Sequence, residues 1–232
     1  MMAYYIFFCV VGLAAGMFLD VWIECLIAET SIKEGLKKRR RLPNPLVMFL
    51  TAIIFMLLLK RYSISIEYFA AIFLMALLIA VFYVDSKRRI IPNELVLAGL
   101  LGSVLLLASN LFGCKYIFGE GWQEHLLGLL PGSGFLMLVA LLGKVLYKTD
   151  NAMGMGDIKI YAPIGLILGW KLCMVSVFIA MAAAAFTSIG LLVAGKKKRK
   201  DSVPFGPFIA VGTLVALLWG HDMIKGYMIW GL

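Results

Sequence analysis

What most constrains this chain is the length and spacing of its apolar runs. Stretches at about 4–26, 46–59, 66–84, 93–112, 124–147, 157–170, 172–194 and 204–220 are dominated by Leu, Ile, Val, Phe, Ala and Met, and the connections between them are short. A helix of roughly 20 apolar residues is long enough to cross a bilayer. Inside lipid every backbone N–H and C=O must find a partner within the chain, so runs of this length span as helices. With 62% hydrophobic and 15% charged residues among 232, a soluble globular class is excluded. The expected fold is an all-α polytopic membrane protein with about eight transmembrane helices, six at the least. No connection is long enough for a second folding unit, so residues 1–232 read as one integral membrane domain. Its chemistry must then be built from helix ends and short loops. The first run lacks a basic leading segment and a small-residue cleavage site, and reads as a retained span rather than a signal peptide.

Basic residues orient the spans, because cytoplasmic connections carry the excess of Lys and Arg. With both termini outside, the inner connections hold 17 of the 22 basic residues, including the short basic loop at about 27–45 and the run 196–200. This predicts a multi-pass protein of the cell (inner) membrane. The runs "KKRRR" (37–41) and "KKKRK" (196–200) look like nucleic-acid patches in isolation. Between hydrophobic spans they read instead as topology signals that also hold anionic lipid headgroups, and no nucleic-acid partner is expected. Cys9, Cys25, Cys114 and Cys173 form no Cys-x-x-Cys pair, and His125 and His221 are the only histidines. No metal site is therefore expected, and a His-Glu-x-x-His metalloprotease is excluded.

Acidic residues are scarce, which makes their positions informative. Asp157, in "GMGDIKI" (154–160), begins the sixth run, and Asp85 ends the third. The topology brings both to the inner interface. A charge at membrane depth is costly unless partnered or functional. Two carboxyl groups sharing a site do not both ionise readily, so one keeps a proton and acts as an acid while the other activates water as a base. That is the chemistry of an aspartic protease. Each carboxylate's own helix end adds an asymmetry, with Asp85 at a C-terminus and Asp157 at an N-terminus. The expected assignment is Asp157 as base and Asp85 as proton carrier.

Recognition enters through three segments in order: "VDSKRRIIPNEL" (84–95), "AMGMGDIKIYAPIGLILGW" (152–170) and "VPFGPFIA" (203–210). Together they resemble the signature segments of the type IV prepilin peptidases, membrane aspartic proteases of the Gly-x-Gly-Asp type related to the archaeal preflagellin peptidases. The opening "GLAAGMFLDVWI" (12–23) is similar to the start of that family, with Met17 and Asp20 in place of its serine and asparagine. The resemblance implies removal of a short basic leader from prepilin, pseudopilin or preflagellin-type precursors at the cytoplasmic membrane face. It carries the two catalytic aspartates over onto Asp85 and Asp157. Many members bear Cys-x-x-Cys pairs in the first inner loop and methylate the new N-terminus with S-adenosylmethionine. The loop at about 27–45 has no cysteine, which counts against retained methyltransferase activity. Cleavage itself needs no cofactor.

Supporting residues keep two readings each. Gly154 and Gly156 permit unusual dihedrals and close passage of an extended substrate, or serve as small-residue helix packing. Lys159 tunes the aspartates or anchors the interface. Pro92 and Asn93 start the fourth run, and the resemblance adds a part in shaping the substrate groove. The "PFGPF" around Gly206 is a re-entrant element or a plain helix start. Asp20 and Glu24, one helical turn apart, form a rival acidic pair, either contacting a basic leader or solvated at the interface. The alternative function is a proton- or ion-coupled transporter using Asp85 and Asp157 as a relay; both aspartates lie near the interface rather than at the midplane, and no internal repeat is evident.

Overall fold

In the computed structural model, residues 2–29, 43–111, 118, 121–147, 154–195 and 203–230 are described. Most of the basic loop at 27–45, the run 196–200 and Cys114 lie outside them. The described residues are helical throughout their regular parts, in the order α1 (Met2–Ala28), α2 (Pro45–Tyr62), α3 (Ile66–Arg88), α4 (Asn93–Leu111), α5 (Trp122–Leu127), a π-helical turn (Leu130–Gly134), α6 (Phe135–Tyr147), α7 (Met155–Val193) and α8 (Gly206–Trp230). Six helical stretches are long and apolar enough to cross a membrane, and Asn93–Ser109 is a shorter apolar helix.

The sixth and seventh expected spans turn out to be the two halves of α7. The chain departs from helical geometry at Gly169, whose φ of 72° lies in the region that suits a residue without a Cβ. It folds back there. A Cβ placed on Gly132 would stand 3.0 Å from the Cys173 sulfur and 3.1 Å from the Tyr161 carbonyl oxygen, whereas twelve residues of straight helix would separate those positions by about 18 Å. We call the arms before and after Gly169 α7a and α7b.

Local signals account for the helix ends. Asn44 caps α2, its Oδ1 accepting from the Leu46 N–H at 3.1 Å, and Pro45 fills the first position, where no N–H is needed. Ser65 caps α3 through the Tyr68 N–H at 3.3 Å. The C-terminus of α3 closes at Arg89, in the left-handed region, whose N–H donates to the Asp85 carbonyl oxygen at 2.8 Å. Between α5 and α6, Pro131 cannot donate to the regular ladder, and Gly134 N–H reaches the Leu129 carbonyl oxygen at 2.9 Å, five residues back.

Lipid is as apolar as leucine, so burial alone does not hold such a bundle together; close packing and polar links between helices do. α3 lies at the centre, with Leu74, Leu78, Val81 and Val84 all buried. α1 and α2 touch backbone to backbone: a Cβ on Gly12 would meet Ala52 Cα at 2.8 Å, and one on Gly16 would meet Met48 Cα at 2.6 Å. The Gly165 and Gly128 backbones approach closely enough that a Cβ on Gly165 would stand 2.2 Å from the Gly128 carbonyl oxygen. The Ser176 and Thr213 hydroxyls, both buried, bond at 2.9 Å and tie α7b to α8. At one end of the bundle Arg61 pairs with Asp222 at 3.0 Å and Lys171 with Glu124 at 2.9 Å. At the other, Arg88 pairs with Glu29 at 2.6 Å.

The contact at Gly165 gives a paired test. Gly165→Ala forces two backbones apart and is expected to destabilise by ~1–3 kcal/mol. Gly190→Ala, where a Cβ would meet nothing within 4 Å, is expected to be neutral or slightly stabilising. Thermal unfolding of both variants in detergent micelles measures the difference.

Candidate active site

Three helix ends converge at the end of the bundle that carries the Glu29–Arg88 pair. Asp85 occupies the last turn of α3 and is 5% exposed. Asp157 occupies the first turn of α7a and is half-buried, its N–H donating to the Gly154 carbonyl oxygen at 3.1 Å. The two carboxyl groups lie within electrostatic reach of one another. The third end is the start of α8, where Gly206 N–H donates to Asp85 Oδ2 at 2.8 Å.

That last bond is the feature that reading the sequence missed. The first N–H groups of a helix have no partner inside it. At α8 the first of these donors is spent on a side chain from another helix, 121 residues earlier in the chain. A signal existed: "PFGPF" reads as a helix start, and a helix start offers free N–H groups. The structure gives the plain helix start, with Phe208 and Ile209 N–H groups both donating to the Phe205 carbonyl oxygen at 2.9 and 3.1 Å. Nothing in the local sequence says which acidic residue takes the Gly206 donor. The bond also adds an influence that the expected helix-end asymmetry between the aspartates left out. That expectation counted only each residue's own helix, whereas Asp85 faces the N-terminus of α8 as well.

Glycine is required at Gly206 by space. A Cβ there would sit 2.9 Å from both Asp85 Cβ and Asp85 Oδ2, and 3.1 Å from Val81 Cγ1. Gly156 is required for a similar reason, since a Cβ would stand 2.9 Å from Ile91 Cβ. The connection after α3 therefore seats directly against the Asp157 turn. A Cβ on Gly154 would meet Asp157 Oδ2 at 2.7 Å. The unusual dihedrals expected of these two glycines are absent: Gly154 has φ −65° and ψ 125°, and Gly156 is helical. Close approach, not backbone freedom, is their local reason.

The other expected residues divide. Lys159 Nζ donates to Asn93 Oδ1 at 3.2 Å, so these two come together, joining α7a to the start of α4. Pro92 precedes α4 and accepts the Leu95 N–H at 3.2 Å. Asp20 and Glu24 stand in different surroundings. Asp20 is buried, and its Oδ2 accepts the Asn44 backbone N–H at 3.0 Å, fixing the entry to α2. Glu24 is exposed. A cavity of about 510 Å³ opens beside the site, walled by Trp22 and Leu26 of α1, by Glu29 and Arg88, and by Ile91 and Pro92. Ile91 faces Gly156, so the cavity adjoins the Asp157 turn.

Among known proteins, the model of the type IV leader peptidase family matches residues 72–189, the interval that contains both Asp85 and Asp157. The chain belongs to that family. Among relatives of this leader peptidase family member, the prepilin leader peptidase/N-methyltransferase of Bacillus subtilis (strain 168) is 30% identical over 184 residues, covering 79% of this chain and 69% of that protein. The proteins of the same name from Aeromonas hydrophila and Xanthomonas campestris pv. campestris are 29% and 31% identical, again over 79% of this chain, which spans 61% of the length of each. No solved structure matches it.

The two acidic residues on α1 of this family member are expected to behave differently when neutralised. Asp20→Ala leaves the Asn44 N–H without its acceptor and should destabilise by ~0.5–2 kcal/mol, the scale of a lost helix cap. Glu24→Ala should leave the melting temperature unchanged. Thermal unfolding in detergent reads both.

Proposed function

We propose that this chain is an aspartic endopeptidase of the Gly-x-Gly-Asp type that removes the leader from prepilin-, pseudopilin- or preflagellin-type precursors. It works at the cytoplasmic face of the cell membrane, the side to which the basic connections assign the end holding Asp85 and Asp157. The observation that carries this reading is the convergence of the two carboxyl groups from α3 and α7a, with Asp85 held by an N–H from a third helix.

The mechanism follows from the shared charge. One carboxyl group of the pair keeps a proton while the other is ionised. The ionised group takes a proton from a water lying between them, and that water attacks the scissile carbonyl carbon. The protonated group donates to the carbonyl oxygen, giving a neutral tetrahedral intermediate. Its collapse breaks the C–N bond as one carboxyl group of the dyad delivers a proton to the departing amine and the other takes the proton from a hydroxyl of the intermediate, so the dyad returns to one shared proton. No cofactor enters this scheme. The Gly206 N–H restrains Asp85 so that its carboxyl group does not have to be oriented anew in each cycle. The proximal cavity offers room for the substrate chain beside the Asp157 turn. The relatives are also named as N-methyltransferases; the loop between α1 and α2 here has no cysteine, and the proposal is confined to cleavage.

Cleavage of a model prepilin in liposomes, read by mass spectrometry, tests the dyad. Wild type is expected to release the leader, and Asp85→Asn and Asp157→Asn to lose at least ~10²-fold in rate, the scale of a removed acid or base. Equal cleavage by all three proteins would refute the pair, and no cleavage by wild type would move weight to the ion-relay transporter. With S-adenosylmethionine present, an added methyl group on the product would show that methylation is retained.

Gly206 gives a sharper test of geometry. Gly206→Ala pushes Asp85 without removing either carboxyl group. It is expected to lower kcat by ~10- to 100-fold with little change in KM, since small displacements of a catalytic group carry penalties of that order. A KM effect alone would mean that the start of α8 serves substrate binding instead.

A further inference from the structure

Along the seam between α1 and α2, backbone meets backbone at Gly12 and Gly16. Farther from the aspartate end, a groove of about 390 Å³ lies between Leu13, Cys9 and Tyr5 of α1 and Ile53, Leu57 and Lys60 of α2. The groove opens outward: Tyr5, Ile53 and Leu57 are 39%, 57% and 41% exposed, on a face that the bundle turns to lipid.

Two observations say what would fill it. The first is its length. On α2 the lining runs from Phe49 to Lys60, eleven residues of helix or about 16 Å, which is close to half of a ~30 Å hydrocarbon core. The groove is therefore one leaflet deep. The second is its mouth. Lys60 lies in the last turn of α2, just before the Ser63–Ser65 connection to α3, and so stands at the membrane surface opposite the aspartate end. Neighbouring Arg61 is engaged by Asp222 at 3.0 Å. The Lys60 ammonium has no hydrogen bond or ion pair with any described residue. An apolar trough one leaflet deep with a free cation at its interfacial end matches one kind of molecule.

We propose that this groove is a binding site for a phospholipid with an anionic headgroup, one acyl chain lying between α1 and α2 and the headgroup phosphate on Lys60. A helix from another protein or a second copy of this chain fits less well. Membrane helices dock through small residues; Gly12 and Gly16 of α1 are already used against α2, and the groove walls include the bulky Tyr5, Phe49 and Leu57. A flexible acyl chain fills an irregular trough of bulky side chains. The site is independent of the peptidase reading, since it touches neither aspartate.

Native mass spectrometry of the delipidated full chain, titrated with phosphatidylglycerol or phosphatidylcholine, tests it. Wild type should hold one phosphatidylglycerol about fivefold more tightly than phosphatidylcholine, the scale of one basic side chain at an anionic surface. Lys60→Glu should abolish that preference and Lys60→Arg should keep it. Ile53→Trp, which fills the trough, should remove the single tight lipid of either kind. Circular dichroism confirms that each variant keeps its helix content, and Lys60→Arg guards against a folding defect at this position. Equal binding of the two lipids by wild type would overturn the proposal. So would phosphatidylglycerol binding unchanged in Lys60→Glu, or a tight lipid that survives Ile53→Trp. A dimer mass that Ile53→Trp abolishes would assign the groove to a second copy instead.

Discussion

A carboxyl group held inside an apolar bundle needs a donor, and at Asp85 that donor is the first free N–H of α8, 2.8 Å away. Much of the architecture can be followed outward from this bond. It requires the start of α8 to lie against the last turn of α3, and it forbids any side chain at Gly206, where a Cβ would collide with the aspartate. α8 is in turn tied to α7b by the Ser176–Thr213 hydroxyl pair. The fold-back at Gly169 then returns the chain from α7b to α7a, which carries Asp157. Both carboxyl groups are thus positioned through one continuous set of helix contacts, not by independent loops.

Small residues recur wherever two backbones have to meet. Gly12 and Gly16 join α1 to α2, Gly128 and Gly165 join the π-helical region to α7a, and Gly156 admits the connection after α3. In a bilayer there is little gain from merely hiding leucine from lipid, so contact at backbone distance supplies the packing. Polar links close the two ends of the bundle: the Glu29–Arg88 pair and the Lys159–Asn93 bond near the aspartates, and the Arg61–Asp222 and Lys171–Glu124 pairs at the far side. These exposed pairs are individually weak. Their value lies in registering which helix ends lie side by side.

Membership of the type IV leader peptidase family and the helical membrane architecture agree with what hydropathy and three short segments implied. Asp85 and Asp157 could be nominated from charge scarcity because an acidic residue at membrane depth must be satisfied or used. Reading by type was less successful where a residue's partner lies far along the chain. Asp20 and Glu24 look alike at one-turn spacing, yet Asp20 is buried on the Asn44 N–H while Glu24 is exposed. Lys159 offers no sequence signal for its partner, and its side chain reaches Asn93, 66 residues away in the chain.

The sequence by itself determined that this chain is a bundle of membrane helices, where most of those helices begin and end, and which two acidic residues stand at one level. Those properties follow from local quantities: run length, capping residues, and the cost of charge in lipid. Only the tertiary structure decided that two expected spans are one helix folded at Gly169, that Gly206 supplies the donor to Asp85, and that a groove lies along the seam of the first two helices. Each of these depends on which distant backbone comes within a few ångströms of another. Periodicity and composition carry no record of that distance, because many pairings of apolar helices satisfy the same hydropathy pattern.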